Sequence, residues 1–250
     1  MSELDIETPF SAITTCTKER IPILSKYKAR VFPIGPVFYY SSSLLSNEQM
    51  KKERQLLGKN LLVFPSHSIP GINANFNARD FCQKIKEKSK DFETTRICLY
   101  WKDVQLGFEK IYKSYGFECV TAGHVLDPNF FPRLKSIIEL SDFTMSNDAG
   151  SYVGYCIMLG KPHLIIRQDL RFTGYSKGVS IVKNLHNDNI FQQILKTFSQ
   201  TQNGISKEQK HLINKHWGIH QVKTKQELQK IVNETENIYQ SEQSKLLTEI

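Results

Sequence analysis

The chain has no C-x-x-C pair, no phosphate-loop glycine motif, no apolar run long enough to cross a bilayer, and no internal repeat or low-complexity segment. Its cysteines, Cys16, Cys82, Cys98, Cys119 and Cys156, are odd in number and widely spaced. Three of them fall in the apolar runs RICLYW, FECVTA and YCIML. They therefore read as buried thiols in a reducing compartment, not as zinc ligands or a disulfide framework. A spanning helix needs roughly 20 consecutive apolar residues, and no run approaches that. The acidic opening MSELDIETPF lacks the basic-then-apolar pattern of a secretory leader. The expectation is a cytoplasmic protein with at most peripheral membrane contact.

Further absences remove whole activities. Without G-x-x-x-x-G-K-[ST] or a G-x-G-x-x-G after the first strand, ATPase and dinucleotide-dehydrogenase readings lose their main support. No G-x-S-x-G elbow marks a hydrolase. His211, His216 and His220 include a four-residue spacing but no H-E-x-x-H, so no metal-ligand set is read. Hydrophobic residues make up 40% and charged residues 23%, which excludes a disordered or collagen-like chain. Thirty-three Lys and Arg against 25 Asp and Glu leave a net charge of +8. That balance suits an anionic partner: nucleotide, phosphate or lipid headgroup. Nucleic acid is set aside because the basic residues are dispersed and no recognised module is present.

Residues 29–40 carry an apolar stretch broken by Pro33 and Pro36, which reads as one strand entering a linker. A capped helix follows, from Ser46 to a stop at Gly58. From residue 59 short apolar runs alternate with amphipathic stretches. Strands are predicted at 60–65, 96–101, 117–122, 142–147 and 163–167, with helices at 77–90, 103–115, 129–140 and 149–159. Near-continuous apolar strands separated by helices of this length predict a parallel sheet covered on both faces. The fold class is α/β, a doubly wound, mainly parallel Rossmann-like sheet. After Arg167 a loop leads to extra C-terminal helices at 187–200, 206–216 and 224–247, the last polar almost all round. The division read is residues 1–57 as an N-terminal segment and linker and residues 58–250 as the sheet domain.

In such a sheet ligands bind beyond the carboxyl ends of the strands. Four strand endings are unusually polar: Ser66-His67-Ser68, Lys102-Asp103, Gly123-His124 with Asp127, and Ser146-Asn147-Asp148-Ala149-Gly150-Ser151. The last delivers small residues into a helix N-terminus, whose N–H groups and dipole attract phosphate. The plain alternative is that Ser146 or Asn147 only caps the helix. His67 and His124 stand at the same sheet edge and are candidates to donate to a phosphate or to stabilise a leaving group, or else are ordinary loop residues. Asp103 reads first as an N-cap. Lys102, Arg133 and the basic loop with Arg167, Arg171 and Lys177 are weaker anion candidates.

Taken in order, S-H-S, C-L-Y-W-K-D, T-A-G-H-x-x-D, R-L-K-S-I-I, S-D-F-T-M-S-N-D-A-G-S-Y-V-G-Y and L-G-K-P resemble the C-terminal half of bacterial GT-B glycosyltransferase-like proteins of capsule and surface-polysaccharide clusters. In outline they are also similar to the nonhydrolysing UDP-sugar 2-epimerases. The resemblance covers residues 30–167. It implies a nucleotide-sugar donor as substrate with no separate cofactor, and Ser146, Asn147, Gly150 and Ser151 as contacts to the donor phosphates. Ser66, Ser68 and Gly123 would join them in the pocket, with His67 and His124 as its catalytic polar groups. The family carries a full N-terminal Rossmann domain, so residues 1–57 read as a remnant of an acceptor domain or as edge elements. A partner chain or a second copy is then a candidate to supply the acceptor half.

Three functions compete at this level. One is a nucleotide-sugar-dependent glycosyltransferase, or its donor-binding half, acting on a glycan or lipid-linked acceptor. Another is a sugar-nucleotide 2-epimerase using Asp127 and Asp148 for proton abstraction. The third is a non-catalytic interaction module.

Overall fold

A computed structural model describes residues 8, 10–200 and 204–248, and the chain divides into two compact units. The acidic opening of the chain lies for the most part outside the described residues. Among the described residues, no helix is long and apolar enough to cross a membrane.

The smaller unit joins the described residues up to Tyr40 with those from His211 onward. Strand β1 (Ala12–Thr15) runs parallel to β2 (Arg30–Pro33), Ala12 lying opposite Arg30, and the short helix α1 (Ile21–Leu24) connects them. The closing helix at Lys225–Thr248 starts with a reciprocal cap. The Glu227 amide donates to Thr224 Oγ1 (3.2 Å) and the Thr224 amide to the Glu227 carboxylate (2.7 Å). The helix touches β2 through Arg30–Glu234 at 3.5 Å, and its Tyr239 ring meets that of Phe10, ahead of β1, at 5.6 Å.

The larger unit spans Ser41–Lys210. It begins with α2 (Asn47–Leu57), which Ser46 and Gln49 open with a capping box and Gly58 closes. Then come β3 (Asn60–Phe64), β4 (Ile72–Asn75), α3 (Ala78–Ser89), β5 (Thr94–Leu99), α4 (Trp101–Gln105), α5 (Glu109–Ser114) and β6 (Glu118–Thr121). After these follow α6 (Phe130–Glu139), β7 (Phe143–Ser146), α7 (Ser151–Met158), β8 (His163–Ile165), β9 (Arg171–Gly174), α8 (Ser176–His186) and α9 (Asn189–Thr197). Five strands form one parallel sheet in the order β6-β5-β3-β7-β8, and helices flank it. Read in chain order that is third, second, first, fourth, fifth, the Rossmann-like arrangement, whose direction reverses between β3 and β7.

Strand alternation sorts the two faces. Leu61, Val63, Ile97, Leu99 and Met145 pack in one cluster with Phe81, Cys82 and Ile85 of α3 and Tyr112 of α5. Their neighbours along the strands point the other way. Phe64 stacks on Tyr152 of α7 at 4.9 Å, and Arg96 reaches the Ile137 carbonyl of α6. Every residue of β3 is buried, which is why NLLVF reads as an unbroken apolar run.

Four features depart from the sequence reading. The helix expected at 103–115 is broken into α4 and α5 by Gly107 at φ 77°. The stretch after Arg167 is not a loop throughout. It supplies β9, which pairs antiparallel with the unforeseen β4, and then α8. A further strand, β1, precedes the one expected in the N-terminal segment. Finally, the compact units part after residues 40 and 210, not after 57, because residues 41–57 are fastened to α6. The Leu44 and Leu45 amides donate to Ser136 Oγ (2.8 and 3.1 Å), Lys135 Nζ donates to the Ser41 carbonyl (2.7 Å), and the Arg54 guanidinium reaches the Glu139 carbonyl.

Ser136 is buried and accepts two amides with one oxygen. Ser136→Ala removes the Leu45 amide's acceptor and leaves the Leu44 amide with the Pro132 carbonyl alone (3.1 Å), so urea unfolding should show a loss of about 1–3 kcal/mol with an unchanged m-value. A loss within error would mean that the 41–57 segment is held elsewhere.

Candidate functional site

The carboxyl ends of β3, β5, β6 and β7 converge on a cavity of about 250 Å³. Its walls come from Phe64, Pro65 and His67 after β3, Cys98 to Tyr100 at the end of β5, and Ala122, Gly123 and Val125 after β6. Phe130, Phe131 and Leu134 of α6 and Ser151, Tyr152 and Tyr155 of α7 complete it. The lining is largely aromatic and aliphatic, and it lies at the order reversal between β3 and β7, where a crevice must open because the flanking crossovers leave in opposite directions.

Both histidines singled out from sequence sit beside one row of rings. His67 lies 4.8 Å from Tyr100, Tyr100 lies 5.9 Å from Trp101, and Trp101 lies 4.7 Å from His124. Protein crowded around His67 depresses its pKa below the ordinary imidazole value, although part of the side chain reaches solvent. It is thus a neutral hydrogen-bonding group at neutral pH. His124 turns toward Trp101 and accepts the Leu126 amide on Nδ1 (3.1 Å), leaving Gly123 and Val125 to face the cavity. Trp101 Nε1 and Ser66 Oγ are buried without a hydrogen-bond partner at this edge, an uncommon condition for polar atoms.

Two carboxylates hold these loops in place. Asp103 is not a cap; α4 opens at Tyr100, and Asp103 lies within it, buried. Its Oδ1 accepts the Ser68 amide (3.0 Å). Burial pushes its pKa up, and the hydrogen bonds from Ser68 offset part of that. Asp127 accepts Arg133 Nη2 (3.0 Å), while Nη1 of the same guanidinium donates to the Ala122 carbonyl. The Asn129 amide, which donates to Asp127 Oδ1 (2.8 Å), and then the hydrogen bond and charge of Arg133 hold the Asp127 pKa down. Gly123, at φ 84°, is required here, since a Cβ would come within 2.8 Å of Arg133 Nη1.

At the exits of β3 and β7 several of the candidate side chains are engaged within the protein. Ser68, Ser146 and Asn147, read as ligand contacts, are buried and engaged by protein atoms. Ser68 Oγ accepts the Ala74 amide (3.2 Å). Asn147 Oδ1 accepts the Ser66 amide (2.7 Å), and Nδ2 donates to Gln168 Oε1 (3.3 Å). Ser146 Oγ donates to the Asp148 carbonyl (2.6 Å) and meets His163 Nε2 at 3.0 Å. None of these side chains caps α7. Its N-cap is Gly150, in extended backbone and without a side-chain cap. Gly150 is needed for space: a Cβ there would fall 2.5 Å from the Tyr152 ring, which folds back so that its hydroxyl donates to the Asp148 carbonyl (2.9 Å). Ser151, exposed, and Tyr152 present the first turn of α7 to the cavity.

Two residues that the sequence did not mark as functional belong to this edge. His163 stands inside the apolar strand β8, where a lone polar residue was the available signal. It meets Thr144 Oγ1 at 2.7 Å on one nitrogen and Ser146 Oγ on the other. Burial lowers its pKa to about 3. A neutral ring has one N–H, so one of the two hydroxyls must turn its proton to the ring and away from a carbonyl. Beyond the 147–151 loop, His186 Nε2 lies 3.1 Å from Asp148 Oδ2. This pair borders a second cavity of about 410 Å³ with Arg167, Gln168, Asp169, Leu170 and Leu195. Nothing local in NLHNDN singles out His186.

No protein-family profile matches the chain, and neither does any curated protein. The site is accordingly read from its own geometry.

His163 makes stability depend on acid with a definite sign. Its folded pKa lies below the ordinary 6.5, so the neutral ring's contribution is complete above that value and is lost as pH falls from 6.5 toward 3. Wild type should lose up to about 1.4 kcal/mol per pH unit more than a His163→Asn variant across that window. Parallel urea-derived curves for the two proteins would show that the ring is not buried neutral.

Proposed function

We propose that the chain binds a nucleotide sugar at the 250 Å³ cavity and is a nucleotide-sugar-dependent glycosyltransferase, or its donor-binding half, of bacterial surface-polysaccharide synthesis. The observation that carries the reading is an aromatic-walled cavity at the sheet reversal onto which a helix opens its N-terminus without a side-chain cap. Flat rings such as Tyr100, Phe130 and Phe131 suit a nucleobase or a sugar face. The positive end of the α7 dipole suits a diphosphate beside Ser151.

His67, neutral in the unliganded protein, serves as a hydrogen-bond donor to the phosphate and not as a standing cation. In transfer, the acceptor's hydroxyl oxygen bonds to the anomeric carbon as that carbon's bond to the phosphate oxygen breaks, the hydroxyl proton leaving to the departing phosphate or to solvent, and the amides of the first α7 turn stabilise the charge that gathers on the leaving oxygen. Epimerisation needs free carboxylates facing the sugar ring, and Asp127 and Asp148 are tied to Arg133 and His186. The resemblance to GT-B proteins supports the finer assignment. With it go a cytoplasmic location and a glycan or lipid-linked acceptor.

A panel of UDP, CDP, GDP, ADP and CMP tests the reading by thermal shift. At a hundredfold excess over Kd the preferred nucleotide should raise Tm by roughly 5–10 °C. Ser151→Glu should abolish the shift while leaving the unliganded Tm close to wild type, because it sets an anion against an anion site on an exposed position. No shift with any of the five at millimolar concentration contradicts the proposal.

A further inference from the structure

The second cavity differs from the first in its chemistry. Its polar walls are two carboxylates, a guanidinium, a carboxamide and an imidazole, and only Leu170 and Leu195 are apolar. That composition excludes several ligand classes in turn. A nucleobase needs apolar or aromatic faces on both sides, which these walls do not offer. A metal ion needs at least three clustered donors, and no such group of His, Cys, Asp or Glu exists among the described residues. A small anion meets the Asp148 and Asp169 carboxylates and a small cation meets the Arg167 guanidinium, so each finds a like charge in the same walls.

A neutral polyol gains from both signs at once. Vicinal hydroxyls donate to carboxylates and to the carboxamide oxygen and accept from the guanidinium N–H groups. A volume of about 410 Å³ also holds a sugar ring.

The cavity is built from the fold. Asp148 is buried, and its carboxylate meets His186 Nε2 at 3.1 Å. The imidazole is held flat against Phe191 at 4.4 Å and edge-on to Phe172 at 5.2 Å. With Nε2 engaged by the carboxylate, Nδ1 is the ring's remaining hydrogen-bonding nitrogen. Gln168 is fastened on several sides, accepting from Asn147 and donating to Asp80 Oδ2 (2.8 Å). The 147–151 loop lines both cavities, the first through Ser151 and the second through Asp148. Asp148 faces the second, while its carbonyl receives the hydroxyl of Tyr152, which lines the first.

We infer that this second cavity is a binding site for a sugar unit, held by Asp148, His186, Gln168 and Arg167 through its hydroxyls. Under the transfer reading this unit is the acceptor end. The site itself stands without that reading, because it rests on a different cavity and different side chains.

The test uses the full chain with isotope-labelled histidine, the His186 ring signals being assigned by their disappearance in His186→Gln. Methyl glycosides of glucose, galactose, mannose, N-acetylglucosamine and glucuronic acid are titrated to tens of millimolar, with UDP titrated separately. The expected result is a saturable shift of the His186 ring signals with at least one glycoside. It should weaken at least tenfold in Asp148→Asn, and UDP should leave the signals in place. Silence of His186 toward all five glycosides overturns the inference, as does a response to UDP alone, which would merge the cavity with the nucleotide site. Loss of the nucleotide shift at the first cavity leaves this outcome unaffected, so the two failures can be told apart.

Discussion

The side chain of Asn147 is the constraint on which this sheet edge depends. Fully buried, it accepts the Ser66 amide at the exit of β3 and donates to Gln168 beyond the exit of β8, while its own carbonyl receives the Gln168 amide at 3.3 Å. Strands β3 and β7 are paired up to their last residues, Phe64 opposite Ser146, but beyond that pair their crossovers depart in opposite directions, so the ladder does not reach the loops that follow. One carboxamide with both a donor and an acceptor does so, and a buried carboxamide left without partners would cost about 1–3 kcal/mol per group. Its placement fixes the 147–151 loop as a partition with a cavity on either side.

The open helix end follows from that arrangement. Ser146 and Asn147 are good capping residues, but their side chains are spent on His163, Ser66 and Gln168, so α7 begins at Gly150 without a side-chain cap. Small residues in this loop serve packing as much as ligand approach: Gly150 makes room for the Tyr152 ring, which stacks almost parallel on Phe64. A helix end left uncapped in a protein that had capping side chains at hand is a positive electrostatic feature beside an aromatic cavity.

Much of the sheet was legible in the sequence because β3 and β8 are buried throughout and β5 and β7 over most of their length. NLLVF, RICL and HLI read as strands wherever they are placed. Strands β4 and β9 were not legible, since INAN and RFTG are short, polar and half exposed, and their pairing joins Ile72 to Gly174 across the chain. The aspartate at 103 looked like a cap because Asp favours that position, yet its partner, the Ser68 amide, lies 35 residues away. The candidate site shows the same limit. Spacing located the polar endings at one edge, but which atoms stay available depends on partners such as Ser66 and Asn147, 81 residues apart. The Asp148–His186 pair was invisible for that reason, and so was the division of the edge into two cavities.

Native-state amide exchange in Asn147→Ala, compared with wild type, bears most directly on the clamp. The account predicts that protection of the Ser66 amide falls by an order of magnitude or more, that amides of residues 148–152 open with it, and that the core amides of β3 and β5 stay as they were. Unchanged protection at Ser66, with the loop as closed as in wild type, would contradict the account, because the partition would then be held by something other than Asn147.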